Sequence, residues 1–337
     1  MKIFADKITV DIGTSNTRMY LKGKGLVIDE PSVIAYEQFS KDVLAVGLKA
    51  KSYIGKTPKN IISKRPFTDG IIDDIEVGQL MIKHFFKIIK ERYNLSKVKI
   101  LISIKENKID RNIKIIIESA KEIFSSKILL IDEQISALVS LINSIEKEKS
   151  KIIINFGGGN TRISILKNND FIFDNKLNIG SDKITFNLIN YLLKNYDLHV
   201  GENTAENCKI IALNNMKEDY NEETFNISGK NIKNNTPKAI YIYNNEILKN
   251  ADNIINRIID SLSQTFENIN AEVLNDIKEN GIYLTGGGSL LKRFKYLIEE
   301  KFDMKCNISK RPIYDVIDGS GMIIEKASKY KKLLIKK

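Results

Sequence analysis

The 337-residue chain has only two cysteines, Cys208 and Cys306, far apart and without histidine partners, and it has no tryptophan. So sparse a set argues against a disulfide framework or a zinc site and fits a reducing, cytoplasmic setting. No apolar run approaches the roughly 20 residues of a membrane-spanning helix. The start, Met1-Lys2-Ile3-Phe4-Ala5-Asp6, is too short and too early-charged for a secretory signal. Acid is in deficit too: 42 Asp and Glu against 53 Lys and Arg give a formal net charge of +11. That excess fits either an Ile/Lys/Asn-biased composition, as the missing tryptophan does, or a polyanionic partner. Hydrophobic content of 42% and charged content of 28% are ordinary for a globular protein, and the length suffices for two domains with cores.

What the chain does have is one motif twice. Val10-Asp11-Ile12-Gly13-Thr14-Ser15-Asn16-Thr17 recurs in altered form as Ile154-Asn155-Phe156-Gly157-Gly158-Gly159-Asn160-Thr161. Each follows a β-branched run and leads into another alternating stretch, the pattern of a hairpin whose glycine-rich turn can close backbone N–H groups on a phosphate. Two such hairpins half a chain apart predict a duplicated domain gripping one nucleotide from both sides.

Strands are predicted at Lys7–Asp11, Arg18–Leu21, Val33–Tyr36 and Val98–Ser103, and helices at Glu76–Arg92, Ile109–Ile123 and Glu133–Ile145. The apolar-free run Glu146-Lys147-Glu148-Lys149-Ser150-Lys151 reads as a solvated junction. Strands then resume at Lys151–Asn155, Arg162–Lys167 and Phe171–Ile179. Helices follow at Ser181–Asn195, Thr204–Leu213, Asn244–Ile269, Ala271–Lys278 and Ser289–Lys301. Asn214–Pro237 reads as a polar, exposed piece outside the main core, and Lys326–Lys337 as a basic continuation of a helix. Strands alternating with helices, twice, imply two α/β domains with a cleft between them.

A third glycine cluster, Leu284-Thr285-Gly286-Gly287-Gly288-Ser289-Leu290-Leu291, follows a short strand and precedes a helix. Such a turn admits close approach of a base or sugar, and the helix start favours anions. It has neither the lysine of a P-loop nor the GxGxxG spacing of a dinucleotide fold.

In order along the chain, these motifs resemble the actin/Hsp70/sugar-kinase ATPase superfamily, and within it the MreB family of bacterial actins. Lys22-Gly23-Lys24-Gly25, Asp29–Ala35, Ala45–Gly47, Gly55–Pro58, Arg65–Gly70, Gly201–Glu206 with Lys209, Leu284–Leu291 and Asp318-Gly319-Ser320-Gly321 carry the likeness. The last of these is taken as a final glycine turn. The resemblance implies an actin-like α/β fold, two duplicated ribonuclease-H-like domains around a nucleotide cleft, each with a small subdomain. Domain I would span 1–147, with a small subdomain at about 30–68, completed by a C-terminal helix at about 316–337. Domain II would span 148–315, with a small subdomain at about 181–250.

The same resemblance implies ATP and Mg²⁺ as ligands. Gly13, Thr14, Ser15 and Asn16 would wrap the β/γ-phosphates, with Asp11 holding Mg²⁺ through water. Gly157, Gly158 and Gly159 would close over the γ-phosphate. Glu202, Asn203, Thr204, Ala205, Glu206 and Lys209 would flank the adenosine, and Gly286, Gly287, Gly288 and Ser289 would face base and ribose. Glu133, in Leu130-Ile131-Asp132-Glu133-Gln134, matches the family's catalytic glutamate. The second loop departs from the family: its aspartate is Asn155 and its threonine Asn160. Asparagine supplies no anion for metal or proton, so ATP hydrolysis is expected to be weak or lost while binding survives.

The expected role is a polymerising cytoskeletal filament that sets cell shape, or drives motility in a wall-less cell, with subunits stacked head to tail, in paired protofilaments. An anionic membrane surface is an expected partner through the basic tail Lys326–Lys337, whose six lysines could each contribute on the order of 1 kcal/mol. That would put the protein in the cytoplasm, at the inner face of the membrane. Ile3 with Phe4, and the feebly apolar Tyr93-Asn94-Leu95, are weaker candidates for the same contact. Other cytoskeletal or cell-wall proteins are further candidate partners, and nucleic acid is not expected. The alternative on the same superfold is a small-molecule kinase.

Overall fold

The computed structural model describes residues 6–68, 71–105, 109–142, 149–215 and 223–335. Ile3, Phe4, Asp69, Gly70, Glu146–Glu148, Lys336 and Lys337 therefore lie outside the described residues. The chain divides into two compact units, Met1–Ile145 with Ile313–Lys337, and Glu146–Pro312.

Unit 1 runs through β1 (Asp6–Ile12), β2 (Asn16–Leu21), β3 (Gly25–Pro31), β4 (Ile34–Glu37), β5 (Val43–Val46), α1 (Gly47–Lys51), β6 (Ile61–Lys64), β7 (Phe67–Thr68) and β8 (Ile71–Ile72). It continues with α2 (Ile75–Tyr93), β9 (Lys97–Ile104), α3 (Arg111–Ile123), β10 (Ser125–Asp132) and α4 (Glu133–Ile142). The main sheet has the order β10-β9-β1-β2-β3; β1, β9 and β10 are parallel, and β2 is antiparallel to both its neighbours. Period-two alternation divides its residues. Ile8 and Val10 of β1, with Ile100 and Ile102 of β9, join Met81, Phe85 and Phe86 of α2 and Ile116 and Ala120 of α3 in one core. Asp74 and Asp110 start α2 and α3, their side chains accepting from Val77 N at 3.2 Å and Ile113 N at 2.8 Å.

Unit 2 repeats the plan. Its elements are β11 (Lys151–Phe156), β12 (Thr161–Lys167), β13 (Asp170–Leu177), α5 (Ser181–Tyr196), β14 (Leu198–His199), α6 (Glu202–Asn214), β15 (Thr224–Asn231) and β16 (Pro237–Tyr243). Then come α7 (Asn244–Glu267), α8 (Ala271–Asn280), β17 (Ile282–Thr285), α9 (Lys292–Phe302) and β18 (Cys306–Ile308). The sheet order β13-β12-β11-β17-β18 has the same pattern of parallel and antiparallel neighbours as unit 1. Ile152, Ile154 and Phe156 bury against α5, α6 and α7 through Leu188, Ala212 and Ile255. The chain then returns to unit 1 with α10 (Asp315–Glu325) and α11 (Ala327–Tyr330).

Five expectations change. Asp318–Gly321 is not a turn but the middle of α10. A Cβ on Gly319 would lie 1.8 Å from the Ser136 carbonyl of α4, and one on Gly321 3.0 Å from the Tyr20 ring, so these glycines let α10 lie close against α4 and the sheet. Ser320 Oγ and Ser103 Oγ share a buried 2.9 Å bond across that contact. The polar stretch after Asn214 is tied to the core by Ile227 and Ile242, which are buried in the main cluster of unit 2. The junction is shorter than its charge suggests: Ser150 and Lys151 are buried, and Ser150 N donates to Asp276 Oδ2 at 2.8 Å. Asn94 closes α2 at φ 49° and Leu95 is buried, so this segment offers no lipid-facing loop. Finally, the basic tail does not continue α10. Lys326 breaks the helix, Tyr330 is buried, and Ile335 N donates to Leu130 O of edge strand β10 at 3.0 Å, leaving Lys326, Lys329, Lys331 and Lys332 exposed. Among the described residues no helix is long and apolar enough to cross a membrane.

Candidate functional site

The turn between β1 and β2 is closed by Gly13 N donating to Asn16 O at 2.9 Å, and a Cβ on Gly13 would crowd that carbonyl at 3.1 Å. Ser32, just past β3, braces the turn from outside it. Its Oγ donates to Gly13 O at 2.7 Å and shares a 2.9 Å bond with Thr17 Oγ1, while its N–H donates to Ser15 O at 2.9 Å. Arg65 Nη1 reaches the same Ser15 carbonyl at 3.4 Å. Thr14 Oγ1 is buried and has no hydrogen-bond partner among the described residues. Ser32 escapes sequence reading as a site residue, because only the β2–β3 register, which sets the preceding Pro31 opposite Asn16, brings it to the loop.

Asp11 lies in register with Arg18. That guanidinium is held by Asp29 (Nε to Oδ1, 3.0 Å) and lies 5.0 Å over the ring of Tyr314, whose hydroxyl donates to Asp29 Oδ2 at 2.7 Å. The Asp11 carboxylate therefore has no hydrogen bond or ion pair among the described residues. Burial raises its pKa, with Arg18 and Lys105 pulling the other way. A carboxylate so placed is costly to ionise and would be relieved by a cation.

The second hairpin has the same dimensions. Gly157 N donates to Asn160 O at 2.9 Å, and a Cβ on Gly157 would stand 3.1 Å from that carbonyl. Its brace differs. Thr161 Oγ1 donates to Ile179 O at 2.6 Å, and Ser181 N and Asp182 N, at the start of α5, donate to Gly157 O and Gly158 O at 2.9 and 3.0 Å. Gly180 makes room, since a Cβ there would meet Gly158 O at 1.9 Å and Gly159 C at 2.6 Å. Asn155 stands in register with Arg162, as Asp11 does with Arg18. Arg162 is buried, and Asp174 grips it twice, at 2.8 and 2.9 Å, while accepting from Ser164 Oγ at 2.7 Å. Both hairpins thus set an arginine held by an aspartate opposite the residue before the loop, but that residue is a carboxylate in unit 1 and a neutral amide in unit 2. Asn160 is buried, and its Nδ2 has no partner among the described residues.

The third glycine cluster joins this second loop. Gly286 has φ 84°, and a Cβ there would lie 2.5 Å from Phe156 O and 2.6 Å from Asn155 Oδ1; one on Gly288 would strike the Phe156 ring at 2.3 Å. Residues 287–290 form a 3₁₀ turn with Gly287 exposed, and α9 begins only at Lys292, so Ser289 is not a helix cap; its Oγ donates to Gly286 O at 2.7 Å. On α6, Glu202 and Asn203 are exposed, Thr204 is half-buried and Ala205 buried. Glu206 and Lys209 act together: the buried Lys209 Nζ donates to Glu206 Oε2 at 2.8 Å, Thr185 Oγ1 at 3.1 Å and Ser181 O at 3.2 Å, fastening α6 to α5. Glu133, in unit 1, is buried at the first turn of α4. No group of three or more His, Cys, Asp or Glu among the described residues could hold a metal on its own.

The chain matches the MreB/Mbl protein family over residues 5–332. It is 31% identical over 330 residues to the cell shape-determining protein Mbl of Bacillus subtilis (strain 168), covering 98% of this chain and 99% of that one. MreB5 of Spiroplasma citri, solved with ADP, superposes with a TM-score of 0.87 at 27% identity, over 97% of this chain and 98% of that one; the same protein has also been solved with AMPPNP. MamK, solved as a double helical filament, shares the fold at a TM-score of 0.75 and 20% identity, over 95% and 99% of the two chains. Two five-stranded sheets of one strand order, each carrying a glycine hairpin, are what an actin-like fold requires, and by family match over nearly its whole length the chain belongs to the MreB/Mbl family.

Proposed function

We propose that this chain is an ATP-binding, filament-forming bacterial actin that shapes the cell, or moves a wall-less one, and that hydrolyses ATP weakly or not at all. The observation that carries the reading is the pair of hairpins closed by the same 2.9 Å N–H···O bond, one beside a carboxylate and the other beside an amide. Residues 13–16 would wrap the phosphates and 157–159 close over them, the N–H groups of Gly13 and Gly157 being engaged within their own turns. Glu202–Glu206, Lys209 and Gly286–Ser289 flank the adenosine. The uncommitted Asp11 carboxylate and the orphaned Thr14 hydroxyl fit a site completed by ligand. Mg²⁺ would neutralise phosphate charge there, Asp11 holding it through water, as suits an ion that keeps most of its own waters. The MreB5 structures with ADP and AMPPNP support nucleotide binding.

Hydrolysis needs an acceptor for a proton of the attacking water. Glu133 remains for that role, but Asn155 and Asn160 offer neither an anion nor a hydroxyl. Losing one positioned base typically costs about 10²–10⁴ in rate, and two losses in one loop need not multiply. Negative-stain microscopy with ATP tests assembly, and phosphate release by the same samples tests turnover. Filaments with little phosphate support the reading; monomers that release ADP only when a sugar is added would replace it with the kinase. The exposed lysines of the tail are proposed to hold the filament to an anionic membrane, many weak contacts adding along its length.

A further inference from the structure

Three strands of unit 1 set three charged side chains in one row. The register of β1 with β2 puts Asp11 opposite Arg18, and that of β2 with β3 puts Arg18 opposite Asp29. Residues directly opposite one another share a face of the sheet, with neighbouring strands about 4.8 Å apart. One arginine therefore stands between two carboxylates. It bonds the outer one, Nε donating to Asp29 Oδ1 at 3.0 Å, and makes no hydrogen bond to Asp11.

Tyr314, from the stretch just before α10, holds the arginine to that side. Its hydroxyl donates to Asp29 Oδ2 at 2.7 Å, and the Arg18 guanidinium lies 5.0 Å over its ring, a cation–π distance. The Arg18 side chain is only 12% exposed. A guanidinium so far withdrawn from water needs a carboxylate beside it, and with Asp29 neutralised the one left in the row is Asp11. Unit 2 has no such contest. There Arg162 stands between the neutral Asn155 and Lys176 of β13, and Asp174 grips it twice.

We infer that Asp29 and Tyr314 are positioning residues for the cation site: they hold Arg18 to the outer side of the row and so keep the Asp11 carboxylate free for Mg²⁺ and its waters. The inference rests on the role of Asp11 proposed above and adds two residues that act on the cation only through Arg18. Released from Asp29, Arg18 turns to Asp11 and neutralises it, so that arginine and Mg²⁺ compete for one carboxylate.

The test measures binding of a fluorescent ATP analogue to the full chain, in chelator and across a Mg²⁺ titration, with thermal melts of the same samples. Asp29→Asn should weaken the apparent Mg²⁺ affinity by about 10- to 100-fold, the range of a hydrogen bond to a charged group, and leave binding in chelator near wild type. Tyr314→Phe keeps the ring and loses the hydroxyl, and should weaken it by about two- to tenfold. The decisive variant joins Arg18→Gln to Asp29→Asn. Removing the competitor should bring Mg²⁺ affinity back to the wild-type level or beyond, a rescue that a merely structural role for Asp29 would not give. Equal Mg²⁺ affinity in wild type, Asp29→Asn and Tyr314→Phe would overturn the inference, as would a loss in Asp29→Asn that Arg18→Gln fails to rescue. Tighter binding by Asp29→Asn in chelator, with its Mg²⁺ response intact, would also overturn it, because Arg18 would then have turned to phosphate. Should the melts show Asp29→Asn unfolded, Tyr314→Phe decides alone. Wild-type binding that ignores Mg²⁺ would remove the cation site itself, and no binding of the analogue at all would remove the nucleotide reading with it.

Discussion

Restoring the carboxylate of the second loop, Asn155→Asp, separates chemistry from stability. In unit 1 the equivalent Asp11 is ionised at a cost, because burial raises its pKa and the Arg18 charge beside it is shared with Asp29. The surroundings of Asn155 are no kinder. Its register partner Arg162 is gripped by Asp174 at 2.8 and 2.9 Å, and Gly286 packs against the Asn155 side chain. A new carboxylate at this half-buried position would be short of hydrogen-bond partners, worth about 1–3 kcal/mol of destabilisation. For a unit of this size that is a fall in Tm of roughly 2–12 °C. The sign with pH follows from proton linkage. If its folded pKa is raised above the unfolded value, the native state holds the extra proton in that window, so the variant loses stability as pH rises through it and matches wild type below it. With Mg²⁺ and ATP, phosphate release should rise by about 10²–10⁴ over wild type. Thermal melts at several pH values and a phosphate-release assay on the same samples check both limbs. A variant as stable as wild type at neutral pH would refute the electrostatic argument. Brisk wild-type turnover, unchanged by the substitution, would refute the catalytic one.

Asp11→Asn should do the reverse, raising the Tm of the nucleotide-free protein at neutral pH while weakening Mg²⁺-dependent binding of a fluorescent ATP analogue; equal binding would remove Asp11 from the site. Ser32→Ala strips the brace from Gly13 O and Thr17 Oγ1, and should cost about 1–3 kcal/mol in urea unfolding along with nucleotide affinity. Gly319→Ala gains about 1 kcal/mol of helix propensity but forces a Cβ to within 1.8 Å of Ser136 O, an overpacking cost of about 1–3 kcal/mol or more, so the melt should show net loss. Burial raises the thiol pKa of Cys208 and pushes that of Cys306 up to about 12, so iodoacetamide should label both only after unfolding, as mass spectrometry would report.

The hairpins were legible because each is a local pattern, a β-branched run broken by glycine, and the family likeness rested on such local strings. What escaped depends on partners distant in sequence. Ser32 braces the first loop only because β2 and β3 pair in one register. Gly319 and Gly321 read as a turn because glycine's local meaning is conformational freedom; their use here, letting α10 approach Ser136 and Tyr20, needs α4 and β2 already in place. Ile227 looks isolated in an Asn- and Lys-rich stretch, yet pairing with Pro237–Tyr243 brings it to the core together with Ile242.

The interruption of unit 1 by the whole of unit 2 also sets a timetable for synthesis. Unit 2 is one continuous stretch and can close as soon as it leaves the ribosome, whereas the sheet of unit 1 must wait for α10 to cover its second face. At about 5–20 residues per second that wait lasts on the order of ten seconds or more, with Thr9, Ser103 and the α4 surface at Ser136 uncovered meanwhile. The first half of the chain to be made is then the last to be finished. The tight Gly319 contact becomes the closing latch of the nascent protein, and substitutions there should lower the yield of folded chains more than they lower the stability of those already complete.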